Sequence, residues 1–83
     1  MFLFLFLTRP GCHLCDAARP TVLEAVKEVG GKVTEVDVDG DDRLLLEYGS
    51  RIPVLLGPNG EVLAEGVIER RGLRRRLSRV RLS

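Results

Sequence analysis

Only two of the 83 residues are cysteine, one is histidine, one is tyrosine and none is tryptophan. Two cysteines with two residues between them cannot staple a secreted disulfide scaffold, because the loop they close is too short to constrain an unfolded chain. Nor do they complete a zinc site. Tetrahedral zinc takes four ligands, and after Cys12-His13-Leu14-Cys15 no further cysteine or histidine follows. Long apolar stretches are also missing. The run Met1–Leu7 lacks a basic segment before it and small residues at a cleavage site after it, so it does not read as a secretory leader, and it is far too short to cross a bilayer. A soluble, cytoplasmic, membrane-free protein is expected. There is no repeat, serine-rich linker or low-complexity tract, so residues 1–83 are read as a single domain that works as a monomer.

Net charge is close to zero at +1, but it is unevenly placed. Residues 1–65 hold six basic and eleven acidic side chains, whereas residues 66–83 hold seven arginines and one glutamate. The arginines Arg70, Arg71, Arg74, Arg75, Arg76, Arg79 and Arg81 can guide an acidic partner, but they serve equally as the solvated face of a helix. Without interleaved aromatic side chains or a recognition-helix motif, a nucleic-acid partner is not expected. Asp37, Asp39, Asp41 and Asp42 lack the glutamate spacing of a calcium loop and are assigned to turns and caps.

The periodicities alternate between strand and helix. The opening apolar run fits a strand buried on both faces, with Phe2, Phe4 and Phe6 on one side. Leu14, Ala18, Val22, Ala25 and Val29 recur at helical spacing over about 13–29 before Gly30-Gly31, and Pro20 predicts a kink within that helix. Lys32 to Asp39 alternates as a second strand. Asp41 or Asp42 caps a short helix through Tyr48, with Gly49 expected to end it in the left-handed conformation. Pro53–Leu56, the turn Pro58-Asn59-Gly60 and Glu61–Glu65 read as a hairpin. Leu73, Leu77 and Val80 share one stripe of a final helix, opposite Arg71, Arg75 and Arg79. The predicted order is β-α-β-α-β-β-α: an α/β fold whose four-stranded mixed sheet is flanked by helices, its first two strands parallel.

Cys12-His13-Leu14-Cys15 falls at the junction of the first strand and first helix. Unpaired amides and the helix dipole favour an anion there, so Cys12 is placed to be a thiolate nucleophile, with Cys15 one turn on to resolve a mixed disulfide. His13 has two readings, as a nearby positive charge that favours the thiolate or as a solvent-facing spacer. Arg9 and Arg51 flank the predicted site, and either can meet the thiolate or a substrate carboxylate, with ordinary surface charge as the alternative.

Several positions together resemble the thioredoxin and glutaredoxin superfamily over essentially the whole chain. They are the Cys-x-x-Cys after the first strand, Pro20 eight residues beyond Cys12, the segment Tyr48-Gly49-Ser50-Arg51-Ile52-Pro53, the hairpin Asn59-Gly60-Glu61-Val62, and Gly66. The resemblance implies a thioredoxin-like fold of the glutaredoxin-like kind, with a cis peptide before Pro53 and Pro53 facing the cysteine pair. It also implies that Ile52 offers backbone groups to an incoming peptide or glutathione. The chain departs from glutaredoxins after the hairpin, where Gly66 is followed by Val67-Ile68-Glu69, and from thioredoxins at Phe6, where they carry a buried acid.

The expected activity is thiol–disulfide exchange on protein or low-molecular-weight disulfides, by Cys12 and Cys15 and with no resident cofactor or metal. Substrate contacts are expected from Arg9, His13, Arg51, Ile52, Pro53 and Gly66. Glutathione or a thioredoxin-reductase-type system is the expected electron donor. The competing reading is a non-enzymatic binding module that shares a metal or iron–sulfur cluster between chains through Cys12 and Cys15.

Overall fold

Alternation within the opening strand sorts its side chains into two separate cores. The computed structural model describes residues 2–81, and in it β1 spans Leu3–Thr8. Phe4 and Phe6 point into one cluster and are fully buried, while Leu7 is fully buried in the other. Leu3, at the open end of the strand, stays 54% exposed, so burial on both faces holds only for the second half of β1. Met1, which the apolar run included, and the Arg81 side chain lie outside what is described.

The remaining elements are α1 (His13–Glu28), β2 (Lys32–Asp37), α2 (Asp42–Tyr48), β3 (Val54–Leu56), β4 (Val62–Glu65) and α3 (Arg70–Arg81). The sheet order is β2-β1-β3-β4. β1 and β2 are parallel, as a helical crossover requires, and β3 runs antiparallel to both β1 and β4. Ala18, Val22, Ala25 and Val26 of α1 pack with Leu73, Leu77 and Val80 of α3 over Phe4, Phe6, Leu55 and Leu63. Tyr48 and Leu44 of α2 cover the opposite face, over Leu7, Val54 and Leu56. The predicted order, sheet and final-helix stripe are thus those observed, whereas Leu14, placed by the sequence on the apolar stripe of α1, is exposed.

Two further local expectations differ. The strand predicted to reach Asp39 stops at Asp37, because the Asp37 carboxylate accepts the Asp39 amide at 2.9 Å and turns Val38–Gly40 into a short 3-10 segment. Gly49 is not left-handed. Its φ of −55° continues the helical geometry, and its amide bonds the Leu45 carbonyl at 2.9 Å. A Cβ at Gly49 would collide with that same carbonyl oxygen, so the position needs glycine for space rather than for handedness. Of the two candidate caps only Asp41 acts, its Oδ1 accepting the amides of Arg43 at 3.0 Å and Leu44 at 3.1 Å. α1 continues through Pro20, which lies on its exposed face.

Candidate redox site

Cys12 sits where the chain changes from strand to helix. After Thr8 the loop turns back on itself, the Cys12 amide bonding the Arg9 carbonyl at 3.3 Å, and Cys12 then adopts extended geometry as the N-cap of α1. Its Sγ accepts the Cys15 amide at 3.1 Å and its carbonyl accepts the Asp16 amide at 3.0 Å. The sulfur therefore occupies the place a serine or aspartate oxygen takes in an ordinary cap, where the helix dipole favours negative charge. The two sulfurs lie at disulfide-bonding distance with Cα atoms 5.2 Å apart. Their exposures are unequal: Cys12 is half-buried, whereas Cys15 is completely enclosed. His13 is exposed and has no hydrogen-bond or ion-pair partner among the described residues, and Leu14 beside it is 47% exposed.

Strand register assembles the rest. Leu7 pairs with Val54, and Val54 with Glu65, so the loop after β1, the residues before β3 and those after β4 meet at one end of the sheet. The Ile52-Pro53 peptide is cis there, and Pro53 is buried. The Gly66 amide donates to the Pro53 carbonyl at 2.9 Å. Ile52 is half-buried against the α2-side cluster.

Arg9 and Arg51 stand at this end but are already engaged. Arg9 grips Asp39 through Nε (3.1 and 3.0 Å) and Nη2 (2.9 Å) and reaches the Gly49 carbonyl through Nη1 at 3.4 Å. Arg51 binds Glu65 by two parallel bonds, Nε to Oε2 at 2.9 Å and Nη2 to Oε1 at 3.0 Å, and lies 5.1 Å over the Tyr48 ring. Hydrogen bonding from each arginine holds the Asp39 and Glu65 carboxyls below their ordinary range, against a smaller opposing effect of burial. A third cluster escaped the sequence reading: Arg19 binds Glu35 at 2.8 Å and Asp16 at 2.9 Å, and the buried Thr8 hydroxyl donates to Glu35 Oε2 at 2.8 Å. Only its Asp16–Arg19 leg has a local signature, the three-residue helical spacing. Among the described residues no three His, Cys, Asp or Glu side chains converge on a metal position.

A Cys-x-x-Cys capping the first helix, with a cis-proline segment at the same end of a four-stranded mixed sheet, defines a thioredoxin-fold protein of the redox-motif class. Within that class the chain belongs to the Glutaredoxin-like domain (DUF836) family, whose model matches residues 3–78. An X-ray structure of a protein from X. campestris is 32% identical and superposes with a TM-score of 0.77, covering 92% of this chain and 96% of that one. A solution structure of a protein from Nitrosomonas europaea is 25% identical at a TM-score of 0.70, covering 82% and 81% of the two chains. A thioredoxin variant from Halobacterium salinarum, 24% identical with a TM-score of 0.67 over 89% of this chain and 69% of its own, shares the fold. An uncharacterized protein of Mycobacterium tuberculosis is 36% identical over 55 residues, or 60% of this chain and 57% of that protein. This chain therefore spans little more than half the length of the curated relatives it matches. The family, the fold and the cysteine pair fit a redox function.

Proposed function

We propose that the chain reduces disulfides by dithiol exchange, with Cys12 as nucleophile and Cys15 as resolving thiol. The observation that carries this assignment is the inequality of the two sulfurs: Cys12 is the accessible helix cap and Cys15 is enclosed. In the first step the Cys12 thiolate attacks one sulfur of a substrate disulfide, forming a Cys12–substrate bond and expelling the other sulfur as a thiolate. Cys15 then gives up its proton and attacks Cys12 Sγ, releasing the second substrate thiolate and leaving the Cys12–Cys15 disulfide. Two electrons pass to the substrate, and protons from solvent complete its thiols.

The segment Arg51-Ile52-Pro53 and Gly66 flank this exchange and form the proposed substrate rim, with Arg9 and His13 beside the cysteine loop. The electron donor is proposed to be glutathione or a thioredoxin-reductase-type system, acting on a monomer in a reducing, cytoplasmic setting where the dithiol form persists.

The test is turnover of insulin or hydroxyethyl disulfide with each donor system. Cys12→Ser should abolish reduction. Cys15→Ser should retain the first step and accumulate a mixed disulfide at Cys12, visible by mass spectrometry. Wild-type protein that fails with both donors and elutes as a coloured or zinc-loaded dimer would establish the bridging module instead.

A further inference from the structure

The end of the sheet that carries Cys12 has more carboxylates than cations, and none of its guanidiniums is free. Arg9, Arg19 and Arg51 are the arginines there, and each is held by at least one carboxylate at 3.1 Å or less. Around them stand six carboxylates: Asp16, Glu35, Asp37, Asp39, Glu47 and Glu65. Asp37 and Glu47 form no ion pair among the described residues, yet they lie near enough to Arg9 and Arg51 to act on them electrostatically. A cavity of about 250 Å³ beside Thr8 and Pro10 is lined by Asp16, Glu35 and Asp37 together with Arg9 and Arg19. Arg71, Arg75 and Arg79 have no partner among the described residues, but they lie on α3, and Arg43 follows two aspartates in the chain.

A bidentate carboxylate at 2.9–3.0 Å leaves a guanidinium little capacity for a second one, so Arg51 and Arg9 are not open receptors for a substrate carboxylate. What an approaching molecule meets is the surplus negative charge. We propose that Glu65 and Asp39 set substrate charge at this site: by occupying Arg51 and Arg9 they make it select neutral or cationic disulfides and turn away disulfides that carry carboxylates beside the sulfur. The inference rests on the disulfide-exchange reading above, and it assigns specificity to residues that do not touch the reacting sulfurs.

The experiment follows oxidation of the reduced full chain by three small disulfides, cystamine (dication), hydroxyethyl disulfide (neutral) and dithiodiglycolate (dianion). Each rate is divided by that of dithiothreitol under the same conditions, which removes the intrinsic reactivity of the reagent. The normalised rates should fall in that order and span about tenfold or more at low salt, since the four-unit change in substrate charge gives roughly that span against each uncompensated charge near 10 Å. The span should contract in about 0.5 M salt. Glu65→Gln removes one negative charge and frees Arg51, and should raise the dithiodiglycolate rate relative to hydroxyethyl disulfide about threefold. Glu61→Gln, in the hairpin turn at the far end of the sheet, should leave that ratio unchanged. Equal normalised rates, a reversed order, or the same shift from Glu61→Gln as from Glu65→Gln overturns the charge proposal while leaving disulfide exchange standing. Absence of reaction with all three reagents overturns both.

Discussion

The Gly66 amide donates to the Pro53 carbonyl at 2.9 Å, and it does so from a backbone φ of +69°. That bond ties the residue after β4 to the residue before β3, and one position earlier the Arg51–Glu65 pair ties the same two segments again. On its other side the segment is held by Arg9, which reaches the Gly49 carbonyl while anchored on Asp39. The stretch that leads into Pro53 is therefore fastened to β4 and to the loop that carries Cys12.

Gly66→Ala tests the first of these ties. A Cβ added there would have no atom within 4 Å, so the cost is conformational rather than steric. An L-residue held at positive φ loses about 1–2 kcal/mol, or the backbone shifts and the bond to Pro53 breaks. Urea denaturation should show that loss. If the segment positions the substrate, disulfide reduction should also fall more than the unfolded fraction accounts for.

Gly72→Ala should do the reverse. Gly72 lies in the first turn of α3 on an exposed face, with open space within 4 Å of where a Cβ would stand and no positive φ to preserve. Alanine there removes backbone entropy from the unfolded chain and should stabilise the protein by about 0.5 kcal/mol. A higher urea midpoint at unchanged slope is the expected result, and no gain would mean that α3 frays at Gly72 in solution.

Local signals made most of the fold legible. The alternation Phe4, Phe6 against Leu7, the Asp41 cap, the Asn59-Gly60 turn and the Leu73/Leu77/Val80 stripe each depend on a few neighbouring residues, and each appears as expected. The Cys12–Cys15 placement was legible for the same reason, being a strand–helix junction. Gly49 was misread because its geometry depends on what comes next: the chain turns on, with the Arg51 amide bonding the Tyr48 carbonyl at 2.8 Å. The ion pairs Arg9–Asp39, Arg19–Glu35 and Arg51–Glu65 join residues 30, 16 and 14 positions apart, and only the tertiary fold brings them together. Sequence therefore placed the arginines near the site but not the carboxylates that occupy them.

Side-chain burial predicts a sharp contrast between two apolar positions. Phe6 is fully enclosed between α1, α3 and the sheet, and Phe6→Ala should cost about 3–5 kcal/mol, a large part of the stability of so small a domain. Leu46 is 91% exposed on α2, and Leu46→Ala should change stability by less than about 0.5 kcal/mol. Thermal unfolding of the two variants distinguishes them. A substantial loss from Leu46→Ala would show that this side chain is covered by a partner under the conditions used.

Acid should weaken the fold partly through Glu35. Its carboxyl is held below the ordinary value of 4.5, first by the Arg19 hydrogen bond and then by the Thr8 hydroxyl, with burial opposing. The folded state therefore binds the proton less readily than the unfolded chain. The resulting stabilisation is complete above about pH 4.5 and is lost as pH falls through the lower folded value. Because the Arg19 and Glu35 side chains remain 34% and 41% exposed, solvent screening limits the contribution to about 0.5 kcal/mol. Glu35→Gln should lower stability by that amount at pH 7 and make the decline between pH 5 and pH 3 shallower, on the order of 0.5 kcal/mol less in total. Asp39 and Glu65, each depressed by its own arginine, keep the remaining slope in the same direction. Urea midpoints across that range provide the measurement, and a variant whose pH profile runs parallel to that of the wild type would show that Glu35 is not linked to folding.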